Sequence, residues 1–274
     1  MNAVIGRGCV CAREVVLSLL VPLVLAVLAG TGRAADWPAY RHDFARSGVT
    51  EDEMQVPLHR QWTYEALHAP KPAWPEPGRE LNRLAFDYAY NVTVANGMAY
   101  FGSSADHRIY AIDLASGKER WSFCTGGPVR FAPTIDEGRV YDGSDDGYVY
   151  CLSADNGELL WRFQGGPRRD MLMGNRQMIS RWPVRTGVGV EDGVAYFAAG
   201  MWPAEGVFVY ALRAEDGSVL WKNATSNTDY IKQPHPGSFS LTGVAPQGYV
   251  LGQGERVFVP TGRSVPAAYD SETG

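Results

Sequence analysis

The chain has 274 residues, a formal net charge of −5, 8 tryptophans, 31 glycines and 4 cysteines. An acidic chain is a poor electrostatic partner for nucleic acid, because neutralising phosphates takes a net basic surface. The 5 histidines are scattered and neither a CxxC nor an HExxH spacing occurs, so no metal site is expected.

In chain order, residues 1–34 read as a signal peptide. Arg7 and Arg13 precede an apolar run over residues 15–28, and Gly32-Arg33-Ala34 places small residues at the −3 and −1 positions. The run is shorter than the roughly 20 residues a spanning helix needs. The expectation is a periplasmic or secreted product with no membrane span in the mature chain. Cleavage also removes Cys9 and Cys11. Cys124 and Cys151 are then expected as buried free thiols, with a disulfide left open for an exported chain.

Residues 35–80 read as an N-terminal segment with an isolated strand motif, Gln61-Trp62-Thr63-Tyr64, and a proline-rich linker over residues 69–78. The linker is expected to be extended. Residues 81–274 carry a repeat of about 40 residues, the period of a radial or linear repeat fold. It reads Ala111-Ile112-Asp113-Leu114-Ala115-Ser116-Gly117 with Trp121, then Cys151 to Gly157 with Trp161, then Ala211 to Gly217 with Trp221. The last copy runs from Ala268 to Gly274. In the second unit, strands are predicted over residues 128–135, 139–143, 148–153 and 159–164, separated by Gly138, Gly147 and Gly157 turns. Four short antiparallel strands closed by glycine turns make one propeller blade.

This A-x-D-x-x-[ST]-G-x-x-x-W pattern resembles the tryptophan-docking repeat of the pyrroloquinoline quinone (PQQ)-like propeller family. Asp36-Trp37-Pro38-Ala39-Tyr40-Arg41 is similar to the start of its exported bacterial members. The resemblance implies an all-β propeller of four-stranded blades, here three complete and a fourth truncated, as a fragment of a seven- or eight-bladed disc. Trp62 is then expected to belong to an outer strand of a further blade. The family holds quinoprotein alcohol and sugar dehydrogenases as well as non-catalytic scaffolds. A PQQ enzyme implies calcium, an aspartate base and, in alcohol-oxidising relatives, adjacent cysteines. No adjacent cysteine pair follows the signal, and Asp87 is the one acid on the predicted first strands.

The long connections, within Trp161 to Gly193 (with an insertion over residues 165–182) and within Trp221 to Glu255, join a fourth strand to the next first strand, and residues 199–206 expand a second-to-third turn. Both loop types emerge on one face of the disc, where binding groups gather on such scaffolds. Arg168, Arg169 and Arg181 lie in the first insertion, and Arg130 and Arg185 occupy matching places on two first strands. These five arginines are expected to hold an anionic ligand at one mouth of the channel, or else to pair with acids as structural groups. Met171, Met173 and Met178 with Trp182 suggest an apolar floor, while His235 reads as surface loop. The expected function is thus an exported binding or scaffold propeller taking a small anionic ligand or a protein partner, with no catalytic residue and no cofactor. The alternative is a PQQ-dependent dehydrogenase, with PQQ and calcium, or the propeller part of a larger secreted enzyme.

Overall fold

The computed structural model describes residues 35–53, 56–74, 87–226, 229–232, 236–261 and 265–274. The signal-peptide segment, part of the proline-rich linker and His235 lie outside them. Three four-stranded antiparallel blades follow one another in the chain. Blade 1 is β1 (Val92–Ala95), β2 (Met98–Ser103), β3 (Arg108–Asp113) and β4 (Glu119–Cys124). Blade 2 is β5 (Thr134–Asp136), β6 (Arg139–Gly143), β7 (Tyr148–Ser153) and β8 (Leu159–Gln164). The first insertion folds as a hairpin of β9 (Met171–Gly174) and β10 (Gln177–Ser180). After β11 (Thr186–Gly187), blade 3 is β12 (Gly189–Glu191), β13 (Val194–Ala199), β14 (Phe208–Arg213) and β15 (Val219–Asn223). A second inserted hairpin, β16 (Asp229–Lys232) and β17 (Phe239–Thr242), leads to β18 (Gly248–Tyr249), which pairs in parallel with β11. The last sheet has three strands, β19 (Leu251–Gln253), β20 (Arg256–Val259) and β21 (Ala267–Asp270).

Local chemistry sets these elements. Asn96-Gly97, Glu137-Gly138 and Asp192-Gly193 carry paired positive φ angles of 53/77, 44/73 and 49/74°. That is the two-residue turn whose twist matches its flanking strands. The predicted strand over residues 128–135 shortens to β5, with an isolated bridge between Val129 and Ser144. Pro128 and Pro133 have no amide to give a ladder, and the Ala132 N–H goes to the Tyr249 hydroxyl at 2.8 Å.

One contact, repeated four times, joins each sheet to its neighbour. Trp62, Trp121, Trp161 and Trp221 lie on Gly117, Gly157, Gly217 and Gly274. A Cβ on those glycines would come within 2.5–2.8 Å of the indole, and each glycine has φ between 67 and 74°. Each indole Nε1 also donates to a carbonyl of the facing turn, that of Leu114, Ala154, Ala214 or Ser271, at 2.7–3.0 Å. Around these indoles the core forms as separate apolar layers between successive sheets, led by Tyr100 and Val140, by Tyr141 and Phe197, and by Val209 and Val257. Trp62 thus meets blade 1 as each later tryptophan meets the sheet after its own.

The innermost strands are tied to one another and then covered. Thr93 Oγ1 donates to the Pro133 carbonyl at 3.0 Å, and Thr134 Oγ1 to the Val188 carbonyl at 2.6 Å. The opening segment then touches all four sheets. Trp37 bridges Val94 in both directions at 2.7 and 2.9 Å, and the Pro38 carbonyl accepts from Ile135. The Phe44 ring sits between Gly189 and Gly252, where added Cβ atoms would lie 2.0 and 2.2 Å from it. Arg46 reaches the Val250 carbonyl at 3.0 Å, and Tyr40 stacks on Tyr249 with ring centroids 3.7 Å apart. Open inner edges are thereby paired or shielded.

Candidate functional site

At the loop-decorated end of the first strands, Arg130 and Arg185 come together, as their matched places suggested. What joins them is Asp145, from the turn between β6 and β7. Arg130 Nε donates to Asp145 Oδ2 at 2.7 Å, and Arg185 Nε and Nη2 donate to Oδ1 and Oδ2 at 2.9 and 3.0 Å. Arg130 also bonds Asp87 and, at 2.8 Å, the Lys71 carbonyl. All three side chains that meet at Asp145 are buried. Burial alone pushes the Asp145 carboxyl up, but Arg185 and then Arg130 outweigh it and hold it below the ordinary range. The geometry is that of a self-neutralised ionic cluster. The donors once assigned to a ligand are engaged by the chain's own carboxylates.

Over the cluster lies a strap, residues 71–74, within the described part (69–74) of the proline-rich linker. Its backbone is held by side chains: Lys71 N–H donates to Ser104 Oγ, Ala73 N–H to Asp87 Oδ2, and Asn175 Nδ2 to the Pro72 carbonyl, each at 2.8 Å. Trp74 closes it, with its ring 5.6 Å from the Arg185 guanidinium carbon and its Nε1 3.2 Å from Gln247 Oε1. Gln177 fills the remaining side, donating to the Ser104 carbonyl at 2.9 Å and lying 3.3 Å from His107 Nε2. Burial, and then Arg130, lowers the His107 pKa. The linker is therefore part of the mouth itself.

The other expected site residues lie apart from this cluster. Arg168 and Arg181 flank the Trp182 ring at 5.7 and 5.9 Å, and they pair with Asp170 and Glu205. Arg169 is exposed. It lines a cleft of about 290 Å³ between blades 1 and 2, with Cys124, Tyr148, Asp146 and Arg162. Met173 and Met178 face each other across the inserted hairpin, 70% and 49% exposed, whereas Trp182 is buried. No shared apolar floor forms. Cys124 and Cys151 are both free. Cys151 is buried and its thiol pushed up to about 12 by burial, but Cys124 is exposed, contrary to expectation, at the end of the outer strand β4.

The comparisons agree with this architecture. The family model described as outer membrane protein assembly factor BamB, a PQQ-repeat model, matches residues 74–181 and 145–274. The chain belongs to the PQQ-like β-propeller family. Among curated relatives, this PQQ-like chain is 23% identical to the glycerol dehydrogenase large subunit of Gluconobacter oxydans, over 92% of the chain and 37% of that protein. It is 26% identical to the tetrathionate hydrolase of Acidithiobacillus ferrooxidans, over 44% of the chain and 21% of that protein. The quinohemoprotein alcohol dehydrogenase of Comamonas testosteroni superposes with a TM-score of 0.60 at 17% identity, over 86% of this chain and 36% of that one. A europium-containing methanol dehydrogenase gives 0.52 at 13%, over 72% and 33%. These likenesses show the fold, and the chain spans about a third of the length of the first curated and structural relatives.

In the sequence of this PQQ-like propeller Asp145 is marked only as a residue of the turn that ends at Gly147, and two acids ahead of that glycine, beside two matched arginines on first strands, are its available signal. Asp142 is fully buried on β6 with Oδ2 unpartnered, while Gly143 N–H donates to Oδ1 at 2.8 Å. Burial raises this carboxyl's pKa well above the ordinary value.

Proposed function

We propose that this chain is the binding portion of an exported PQQ-like propeller, presenting its loop-decorated face to an anionic ligand or partner segment and carrying no redox chemistry of its own. One observation carries the reading: Arg130, Asp145, Arg185 and Asp87 satisfy one another beneath the 71–74 strap. A quinone with three carboxylates needs free guanidinium donors, and here the buried donors are engaged. Calcium takes 6–8 oxygen ligands. Among the described residues no group of three or more His, Cys, Asp or Glu is placed to hold a metal. On this reading the residues present do not fit a quinone–calcium pair. Among the described residues no helix is long and apolar enough to cross a membrane.

A second reading, the propeller part of a quinoprotein dehydrogenase, is favoured by the match over 92% of the chain to the glycerol dehydrogenase large subunit. Incubating the full-length exported protein with PQQ and Ca²⁺, followed by gel filtration, separates the two. The binding reading expects no retained quinone absorbance and no glycerol- or alcohol-dependent reduction of an artificial acceptor. Retained quinone with substrate-dependent reduction would replace it with the second.

A further inference from the structure

The cleft between blades 1 and 2 brings together two arginines of the decorated face that form no ion pair among the described residues. Arg168 and Arg181 have Asp170 and Glu205, and Arg130 and Arg185 have Asp145 and Asp87. Arg162 and Arg169, both exposed, form no ion pair among the described residues. The acid beneath them, Asp146, is already engaged by its own blades. Its Oδ2 accepts from Gly126 N–H at 2.8 Å and the Tyr150 hydroxyl at 2.5 Å, and its Oδ1 from Tyr148 N–H at 3.0 Å. Two guanidinium groups thus line a cleft whose acid is committed to three neighbouring donors and pairs with neither of them.

Blades 1 and 2 differ at the matching place. Gly126 stands five residues after the docking Trp121, and Gly166 five after Trp161. At Gly166 the neighbouring space is filled by Trp182, which is 4% exposed and would lie 2.8 Å from an added Cβ. At Gly126 the near neighbour is only the small Asp146 carboxylate. One wall of the resulting cleft is aromatic, with Phe123 and Tyr148, and Arg162 is held over the Tyr148 ring at 5.1 Å. Its volume of about 290 Å³ is near the small end of ligand sites. Paired guanidinium donors suit carboxylate and sulfate oxygens, and an apolar wall suits the flat face of a ring.

We infer that this cleft is a subsite for one acidic sugar residue, a uronate or sugar sulfate, whose oxyanion is held by Arg162 and Arg169 and whose ring rests on the aromatic wall. The inference rests on the binding reading above and gives it a place. Cys124 lines the same cleft as a free, exposed thiol, whereas Cys151 is buried. Alkylation of Cys124 by iodoacetamide, followed by peptide mass mapping of the full-length protein, therefore reports occupancy directly.

Galacturonate oligomers or a sulfated disaccharide should slow Cys124 alkylation at least tenfold at saturation, and a neutral galactan oligomer should not. Arg162→Gln with Arg169→Gln should raise the protecting concentration by roughly 100-fold, while the ligand-free thermal midpoint stays that of the wild type. Arg169→Glu alone should abolish protection, which keeps the test independent of the Arg162 contact with Tyr148. Equal protection by the neutral oligomer, protection by inorganic sulfate alone, or protection that survives both arginine replacements would overturn the inference. Lack of Cys124 protection sinks the cleft and leaves the binding reading standing. Quinone retention in the reconstitution experiment sinks the reading itself.

Discussion

Two pairs of arginines sit on the same face of this propeller and do opposite things. Arg130 and Arg185 are buried and close on Asp145 and Asp87, whereas Arg162 and Arg169 stand exposed and form no ion pair among the described residues. The inner pair is held by hydrogen bonds to Asp145 and Asp87. Of the outer pair the sequence points to Arg169 and not to Arg162, and neither forms an ion pair among the described residues. Position on a channel does not make an arginine a ligand group; the acceptors already within reach of it do.

Breaking the inner pair should have the largest effect. Asp145→Ala leaves two buried guanidinium groups without their shared partner, which typically costs about 3–5 kcal/mol. Urea denaturation of the full-length protein should show a midpoint lowered accordingly, with the slope unchanged. The same carboxyl carries a pH signature. Its native pKa is depressed, so its contribution is present above the unfolded value near 4 and is lost as pH falls through the native value.

Next in size is the docking contact. Gly157→Ala combines a φ of 73° with a Cβ 2.7 Å from the Trp121 indole, and Gly138→Ala has the same φ with nothing within 4 Å. The second should cost about 1 kcal/mol from backbone strain alone, and the first about 2–3 kcal/mol. Equal losses at the two positions in a thermal melt would mean that tryptophan docking adds nothing.

Asp142 provides a smaller effect of opposite sign. Its native pKa is raised by burial, so the wild type loses stability as pH rises from about 4 toward that value. Asp142→Asn keeps an acceptor for Gly143 and has no charge to bury. It should raise the midpoint by a few degrees at pH 7, with the gain fading below about pH 4. A gain that is the same at both pH values would exclude ionisation as the cause. Smallest of all, Arg162→Gln and Arg169→Gln should each move stability by less than about 0.5 kcal/mol, as for other solvated surface positions. A large loss from either would erase the contrast between the two pairs.

Much of the fold was legible because it is written in short-range chemistry. Gly117, Gly157, Gly217 and Gly274 each need positive φ and closeness to an indole, and both demands leave marks at fixed spacing. Strands β6, β7 and β8 fall where the turn glycines placed them. The inner pair was half legible: Arg130 and Arg185 were paired by position, but the long-range partner Asp145 looked like any turn aspartate. The partners of the strap were not legible, because prolines announce extension and say nothing of which side chains will hold the backbone. The outer cleft was hidden for a related reason, since Arg162 sits in an ordinary outer strand and its vacancy depends on what Asp146 is already doing.

The opening segment has a consequence in time. Each blade pairs strands that are close in sequence, but Arg46 meets Val250 across 204 positions. Contacts of that range form slowly, since the loop they close must be ordered first. The chain emerging first is therefore among the last to settle, and during folding the apolar ring of Phe44 waits in the open for Gly252. Native-state hydrogen exchange should find the Trp37 and Val94 amides opening more readily than those of β6 and β7. Loss of residues 36–48 should leave the tryptophan-docked sheets joined while baring the Val94 and Ile135 amides that the segment pairs.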